Sequence, residues 1–132
     1  MIVAVHALTG AALSRLCRTP AQAFALGFAS HLVGDMLPHR DLDLPEEALL
    51  LGAALGLVAA ARGPGSNEFA GALGAAVPDI ENLVGRLRGI PDERLLLPTH
   101  RRHHGPRTRG FAGQLALAAL SLALVCGSSS SG

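Results

Sequence analysis

The chain contains five apolar segments, and none of them alternates apolar and polar residues with the period of two that marks a strand. The segments are rich in Ala, Gly and Leu, and Pro or Gly residues separate them. The sequence therefore predicts an all-α fold, a small bundle of about five helices. The predicted helices cover residues 2–16, 21–37, 45–61, 68–87 and 110–126, so that 1–126 form a single domain, followed by a disordered Gly/Ser tail over 127–132.

The composition favours a membrane-embedded or membrane-associated bundle. Apolar residues make up 49% of the chain and charged residues 16%, whereas soluble domains carry about 25% charge. Abundant small residues suit close helix packing in membranes, and Gly52 and Gly56 form a Gly-x-x-x-Gly pair that predicts such a contact. A soluble Ala/Leu-rich bundle is the alternative, since the runs 49–61 and 111–126 are shorter than the roughly 20 residues of a full span.

The charge balance bears on the expected partners. The net charge is +1, which gives no strong field to attract nucleic acid, so no nucleic-acid partner is expected. The apolar segments are expected to contact membrane lipid. A chain this short is also expected to need a second subunit, as in a homo-oligomer, to cover its apolar surface.

The first cluster of metal-binding residue types lies where the second predicted helix ends. His31 and Asp35 are four residues apart, so their side chains leave the same face of a helix, and one metal ion can take both. Pro38 ends the helix and lets His39 and Asp41 fold back toward them. The alternative is a helix-end cap surrounded by surface charges. A His and an Asp in an apolar helix need a partner, which favours the metal.

A second cluster follows the fourth predicted helix. His100, His103 and His104 lie within five residues, an arrangement typical of zinc ligands. The alternative is a solvated basic loop that contacts acidic lipid headgroups.

Two further ligand positions are isolated in apolar helices. Asp79 follows Pro78, which resembles a ligand placed at a helix start; if Pro78 restarts the helix, Asp79 and Glu81 are instead ordinary first-turn acids. His6 lies in an apolar helix, where a lone histidine is often only a core residue. Helices that alternate in direction would bring every histidine and the best carboxylates to one end of the bundle. This topology favours His6 as a metal ligand.

Arginine counts agree with that topology. Eight arginines fall in the loops at the histidine end and three at the other. In a membrane protein, the positive-inside tendency places the histidine end in the cytoplasm. The same arginines can bind phosphate bidentately.

One stretch resembles the signature of the zinc-dependent phospholipase C and single-strand-nuclease superfamily, in which a His-x-x-Gly-Asp helix and a following Pro and His supply zinc ligands in an all-helical fold. The matching residues are His31, Gly34 and Asp35, followed by Pro38 and His39. The stretch before the last His is two residues shorter than in that superfamily. The resemblance therefore extends to His31 and Asp35 directly.

The chain also resembles inner-membrane metal-dependent hydrolases related to the LexA-regulated family. The order of the motifs differs, because Ser-His-x-x-x-Asp comes second rather than last, and Glu81 replaces an Asp. The resemblance implies hydrolysis of a phosphoester, including that of a phospholipid, at an inner membrane. The matches are His6, Ser30-His31-x-x-x-Asp35, Pro78-Asp79-Ile80-Glu81 and His100-Arg101-Arg102-His103-His104.

Together these observations predict a membrane-associated metal-dependent hydrolase with one or two zinc ions, or manganese. Asp41 or Glu81 would act as general base, and Arg101 or a neighbouring arginine would neutralise the phosphate. The alternative is a non-catalytic metal-binding integral membrane protein. The predicted metal ligands are His6, His31, Asp35, Asp79, His100 and His104.

Overall fold

Five α-helices make up the regular structure of the described residues, and these residues contain no strand. The structure is a computed structural model that describes residues 1–91, 94–97 and 110–127. The all-helical prediction is confirmed, and each predicted helix is found to within three residues at either end. The helices are α1 (Val3–Ser14), α2 (Pro20–Gly34), α3 (Leu44–Arg62), α4 (Asn67–Leu87) and α5 (Ala112–Cys126).

Local sequence explains where most of these helices begin. The Thr19 hydroxyl accepts the backbone N–H of Gln22, and Pro20 occupies the first position of α2, where its missing N–H is harmless. The Ser66 hydroxyl caps α4 in the same way. Pro78 does not restart a helix, because α4 continues unbroken through it from Asn67 to Leu87.

The helices alternate in direction around α1, which packs against all four others. Glu47 in the first turn of α3 and Gln114 in the first turn of α5 both bind the start of α1. At the opposite end, Arg62 at the close of α3 donates to the Val125 carbonyl of α5. Helices α1, α3 and α5 are therefore parallel, and α2 and α4 run against them. The end at which α1 begins is called the site end below.

Glycines bring α1, α2 and α4 into backbone contact. At four glycines of these helices, an added Cβ would lie less than 3.0 Å from a backbone oxygen of a neighbouring helix. The Gly52 and Gly56 pair fits close helix contact by its spacing, but a Cβ at either position meets nothing within 4 Å among the described residues. The packed glycines are Gly10, Gly27, Gly71 and Gly74.

One described helix, α3, is long and apolar enough to cross a membrane. In its most apolar 18-residue window, 17% of the residues are buried. Helices α1 and α5 are apolar but shorter. One such helix is weak evidence of a membrane, because soluble core helices and signal sequences share these properties. The fold is therefore established as all-helical, whereas embedding in a bilayer stays a prediction.

Candidate metal centre

Three helices bring two histidines and two aspartates together at the site end. His6 lies at the end of the first turn of α1, His31 lies in the last turn of α2, and Asp35 caps the end of α2. Asp79 lies in α4, one turn beyond Ala75. Side-chain exposure is 1% for His6, 0% for His31, 1% for Asp35 and 13% for Asp79. These four residues are called the His/Asp cluster.

The donor atoms of the cluster are spaced closely enough to share one ion. One ligand atom from each of His6, His31 and Asp79 lies within 4.8 Å of the other two. Asp35 joins them, with Oδ1 3.0 Å from His6 Nε2 and Oδ2 3.2 Å from His31 Nε2. Two ligands of a tetrahedral zinc ion stand about 3.3 Å apart. The His6, His31 and Asp79 group can therefore hold a metal ion.

The backbone of α4 fixes the protonation pattern of His31. Its Nδ1 lies 2.9 Å from the carbonyl oxygen of Ala75, which can only accept, so Nδ1 carries a proton. In the neutral ring the lone pair is then on Nε2, the nitrogen that faces Asp35. Histidines that bind metals usually donate their other N–H to a carbonyl or carboxylate in this way.

Burial and mutual contact set the charges of the cluster. Burial lowers the pKa of His6 to about 4, which the hydrogen bond to Asp35 opposes and the nearby His31 reinforces. The rings of His6 and His31 lie 4.0 Å apart between centroids. Burial alone would raise the pKa of Asp35, but the adjacent His31 and His6 side chains hold that pKa well below the usual range. A neutral imidazole beside a carboxylate is the charge state that a divalent cation requires.

A second pair of side chains lies next to the cluster, in the loop that follows α2. His39 is fully buried, and its Nδ1 lies 2.7 Å from the Leu37 carbonyl oxygen. Its Nε2 lies 3.5 Å from Asp41 Oδ1. The Met1 amino group lies 3.0 Å from the same Asp41 oxygen and 3.4 Å from Asp35 Oδ1. The carboxylates of Asp41 and Asp35 thus face the same positive group.

The predicted site residues fall into three groups according to where the structure places them. His6, His31, Asp35 and Asp79 are brought together, and Asp41 lies beside them. Glu81 is turned elsewhere: its carboxylate accepts the backbone N–H groups of residues 96 and 97, at 2.5 and 2.9 Å. The remaining predictions lie outside the described residues, namely His100, His104 and Arg101.

Sequence reasoning missed two side chains that border the site. Glu47 lies in the first turn of α3, where the helix dipole alone would account for an acid, yet it binds backbone N–H groups of Val3 and Leu42. Gln114 was not singled out, although a single amide in an apolar run is a signal that could have found it. It is 4% exposed and binds backbone groups of two other segments.

Comparison with protein-family models, with curated proteins and with solved structures found no match. The arguments about function therefore rest on the geometry of the site itself.

Proposed function

We propose that this protein is a membrane-associated, metal-dependent hydrolase that acts on a phosphoester, with zinc as the metal. The observation that carries the proposal is the His/Asp cluster. Two imidazoles and two carboxylates from three helices face one another at the end of an otherwise apolar bundle. Burying four ionisable side chains is unfavourable unless they bind one another or a metal.

All four residues of the His/Asp cluster would bind the metal ion. His6, His31, Asp35 and Asp79 supply nitrogen and oxygen donors, the set that zinc accepts. The Ala75 carbonyl orients the His31 ring and leaves Nε2 for the ion. When bound, the metal would lower the pKa of a water molecule and polarise a phosphoryl oxygen.

Residues of the loop after α2, beside the His/Asp cluster, would transfer protons and bind the substrate. The Asp41 side chain is 38% exposed, and its Oδ1 lies 3.0 Å from the Met1 amino group that also contacts Asp35. A carboxylate beside the cluster and open to solvent suits a general base. Glu81 suits that role less, because both of its oxygens already accept backbone N–H groups. Arg40 lies in the same loop as Asp41, with its guanidinium carbon 4.9 Å from the centre of the Phe111 ring, and would bind a phosphate.

Helix α3 supports the membrane part of the proposal. Its 19 residues give a length of about 28 Å, close to the roughly 30 Å hydrocarbon core of a bilayer. A core helix of a soluble protein would be mostly buried, whereas α3 exposes Leu49 at 74%. A bilayer around α3 would place the His/Asp cluster near one face of the membrane, within reach of lipid headgroups.

The low exposure of the cluster favours a second candidate, a non-catalytic metal-binding membrane protein. Structural metal sites are closed by protein ligands, whereas catalytic sites keep a position open to water. The near-complete burial of His6, His31 and Asp35 agrees with a closed site. Metal bound without turnover of any phosphoester would favour this candidate.

Elemental analysis tests the metal centre directly. Protein purified in detergent without a His tag is expected to carry about one or two zinc ions by inductively coupled plasma mass spectrometry. His31→Ala and Asp35→Asn are each expected to lose the metal, because each removes a donor from the centre of the cluster. Glu68→Gln is the matched control: it removes a carboxylate that pairs with Arg62 at the opposite end.

Unchanged metal content in both cluster variants would refute the site. If the metal is lost as expected, hydrolysis of bis(p-nitrophenyl) phosphate and of phospholipid vesicles then separates the enzyme from the non-catalytic candidate. A metal-loaded protein that cleaves neither would leave only the latter.

A further inference from the structure

Two side chains from the outer helices bridge the start of α1 to the loop after α2. Gln114 of α5 accepts the backbone N–H of Ile2 at 2.9 Å and donates to the Arg40 carbonyl at 2.9 Å. Glu47 of α3 accepts the backbone N–H of Val3 at 2.8 Å and that of Leu42 at 3.0 Å. Each bridge thus ties one residue at the start of α1, the cap residue Ile2 or Val3, to one residue of the loop.

The bridges meet a need that α1 cannot meet by itself. The first N–H groups of a helix have no partner within the helix, and α1 has no side-chain cap of its own, since Ile2 stands at the cap position. Gln114 and Glu47 supply the missing acceptors from two other helices. A carboxylate at this end is also favoured by the helix dipole.

The position of Asp41 follows from the same two bridges. The residues before and after it, Arg40 and Leu42, are held by Gln114 and Glu47. Its carboxylate faces His39 and the Met1 amino group, which also contacts Asp35. The loop that carries Asp41 is thereby fixed from both sides against the start of α1.

We infer that Glu47 and Gln114 are positioning residues of the metal centre, which hold the Asp41 loop and the His6-bearing start of α1 at a fixed distance. The inference rests on the proposed function and adds to it a dependence on α3 and α5, two helices that contribute no ligand to the His/Asp cluster. A shift of either helix would move Asp41 and His6 relative to Asp35.

Metal affinity measured on matched variants tests the inference. In Gln114→Leu both hydrogen bonds are lost at nearly constant volume, and in Glu47→Gln one acceptor oxygen becomes a donor that faces an N–H. Each is expected to weaken zinc or cobalt binding about 10–100-fold, the usual effect of removing a group that orients ligands. The absorption spectrum of the cobalt form is expected to change, which a loss of stability alone would not produce.

Two controls change polar side chains of the same two helices away from the bridges. Glu46→Gln alters the neighbouring carboxylate, which is exposed and, among the described residues, binds the Asp43 N–H at the start of its own helix. Ser121→Ala alters a buried polar residue of α5, whose hydroxyl lies 3.4 Å from that of Thr9. Both are expected to bind metal within about twofold of wild type, below the effect expected of an orienting group.

The outcomes separate the inference from the proposed function. Wild-type affinity and an unchanged cobalt spectrum in both bridge variants would overturn the positioning role, while the metal centre would stand. Equal losses in the controls would also overturn it. A wild-type protein that binds no metal would refute the proposed function and the positioning role together. In that case, slow amide exchange at Val3 and Leu42 would assign the bridges to helix capping alone.

Discussion

Replacing Gly27 by Ala should damage the fold and the metal centre together. An alanine Cβ there would overlap the Gly71 carbonyl oxygen and lie 2.9 Å from its carbon, whereas ordinary contact begins at 3.4 Å. The carbon alone would require helices α2 and α4 to separate by about 0.5 Å to reach that ordinary contact, and the closer oxygen would require more. His31 and Ala75 lie one turn further along the same two faces, so their 2.9 Å hydrogen bond would lengthen beyond the usual limit of about 3.2 Å.

The clash with two backbone atoms places the cost at the upper end of the overpacking range, about 3 kcal/mol. The helix preference of Ala over Gly returns up to about 1 kcal/mol, leaving a net loss of about 2 kcal/mol. Gly52→Ala is the matched control, because its Cβ meets nothing within 4 Å among the described residues. It is expected to gain about 0.5–1 kcal/mol and to keep its metal affinity.

Thermal unfolding in one detergent, followed by circular dichroism, compares the two variants. A chain of this size should lose roughly 8 °C in Tm for Gly27→Ala and gain a few degrees for Gly52→Ala. Metal affinity is measured on the same samples below the transition. Equal stability of Gly27→Ala and wild type would refute the close contact between α2 and α4. A normal affinity in a destabilised Gly27→Ala protein would refute its link to His31.

Two further predictions concern pH and the membrane. Unfolded His6 binds a proton below about pH 6.5, whereas folded His6 binds one only near pH 4. The unfolding free energy of the metal-free protein should therefore fall by up to about 3 kcal/mol as the pH is lowered from 6.5 to 4. The lowered pKa of Asp35 extends the loss of stability below about pH 4. Flat stability from pH 7 to 4.5 in chelator-treated protein would contradict the prediction for His6. The chain has no Trp, so Leu57→Trp gives α3 a unique probe. Brominated acyl chains should quench it and spare Pro64→Trp in the following loop; equal quenching would count against α3 in a bilayer.

The sequence predicted the helices because their boundaries depend on nearby residues. Pro20, Ser66 and the Gly63–Pro64 pair act within a few positions of the ends they define. The meeting of His6, His31, Asp35 and Asp79 could also be anticipated, since short loops force neighbouring helices to alternate in direction. Regular alternation was enough to place these residues at one end.

Contacts that depend on exact helix rotation could not be anticipated. Gly27 and Gly71 meet because α2 and α4 turn these faces toward each other, whereas Gly52, in a more recognisable motif, faces outward. Gln114 binds Ile2 across 112 positions. Glu81, an acid beside a predicted ligand, bonds instead to the segment that follows α4. Nothing in the local sequence distinguishes these possibilities, since each depends on packing between distant segments.

If the proposed centre binds a metal, the glycine contacts would limit how it responds to ions of different radius. Helices α2 and α4 touch through main-chain atoms, and main-chain atoms cannot yield by changing a rotamer as a leucine or methionine can. The gap between His31 and Asp79 is therefore set by peptide geometry. A frame of this stiffness suits donors about 2.0–2.1 Å from the ion and resists expansion to the 2.3–2.6 Å that calcium requires. Discrimination by ionic size would then come from residues that never touch the ion.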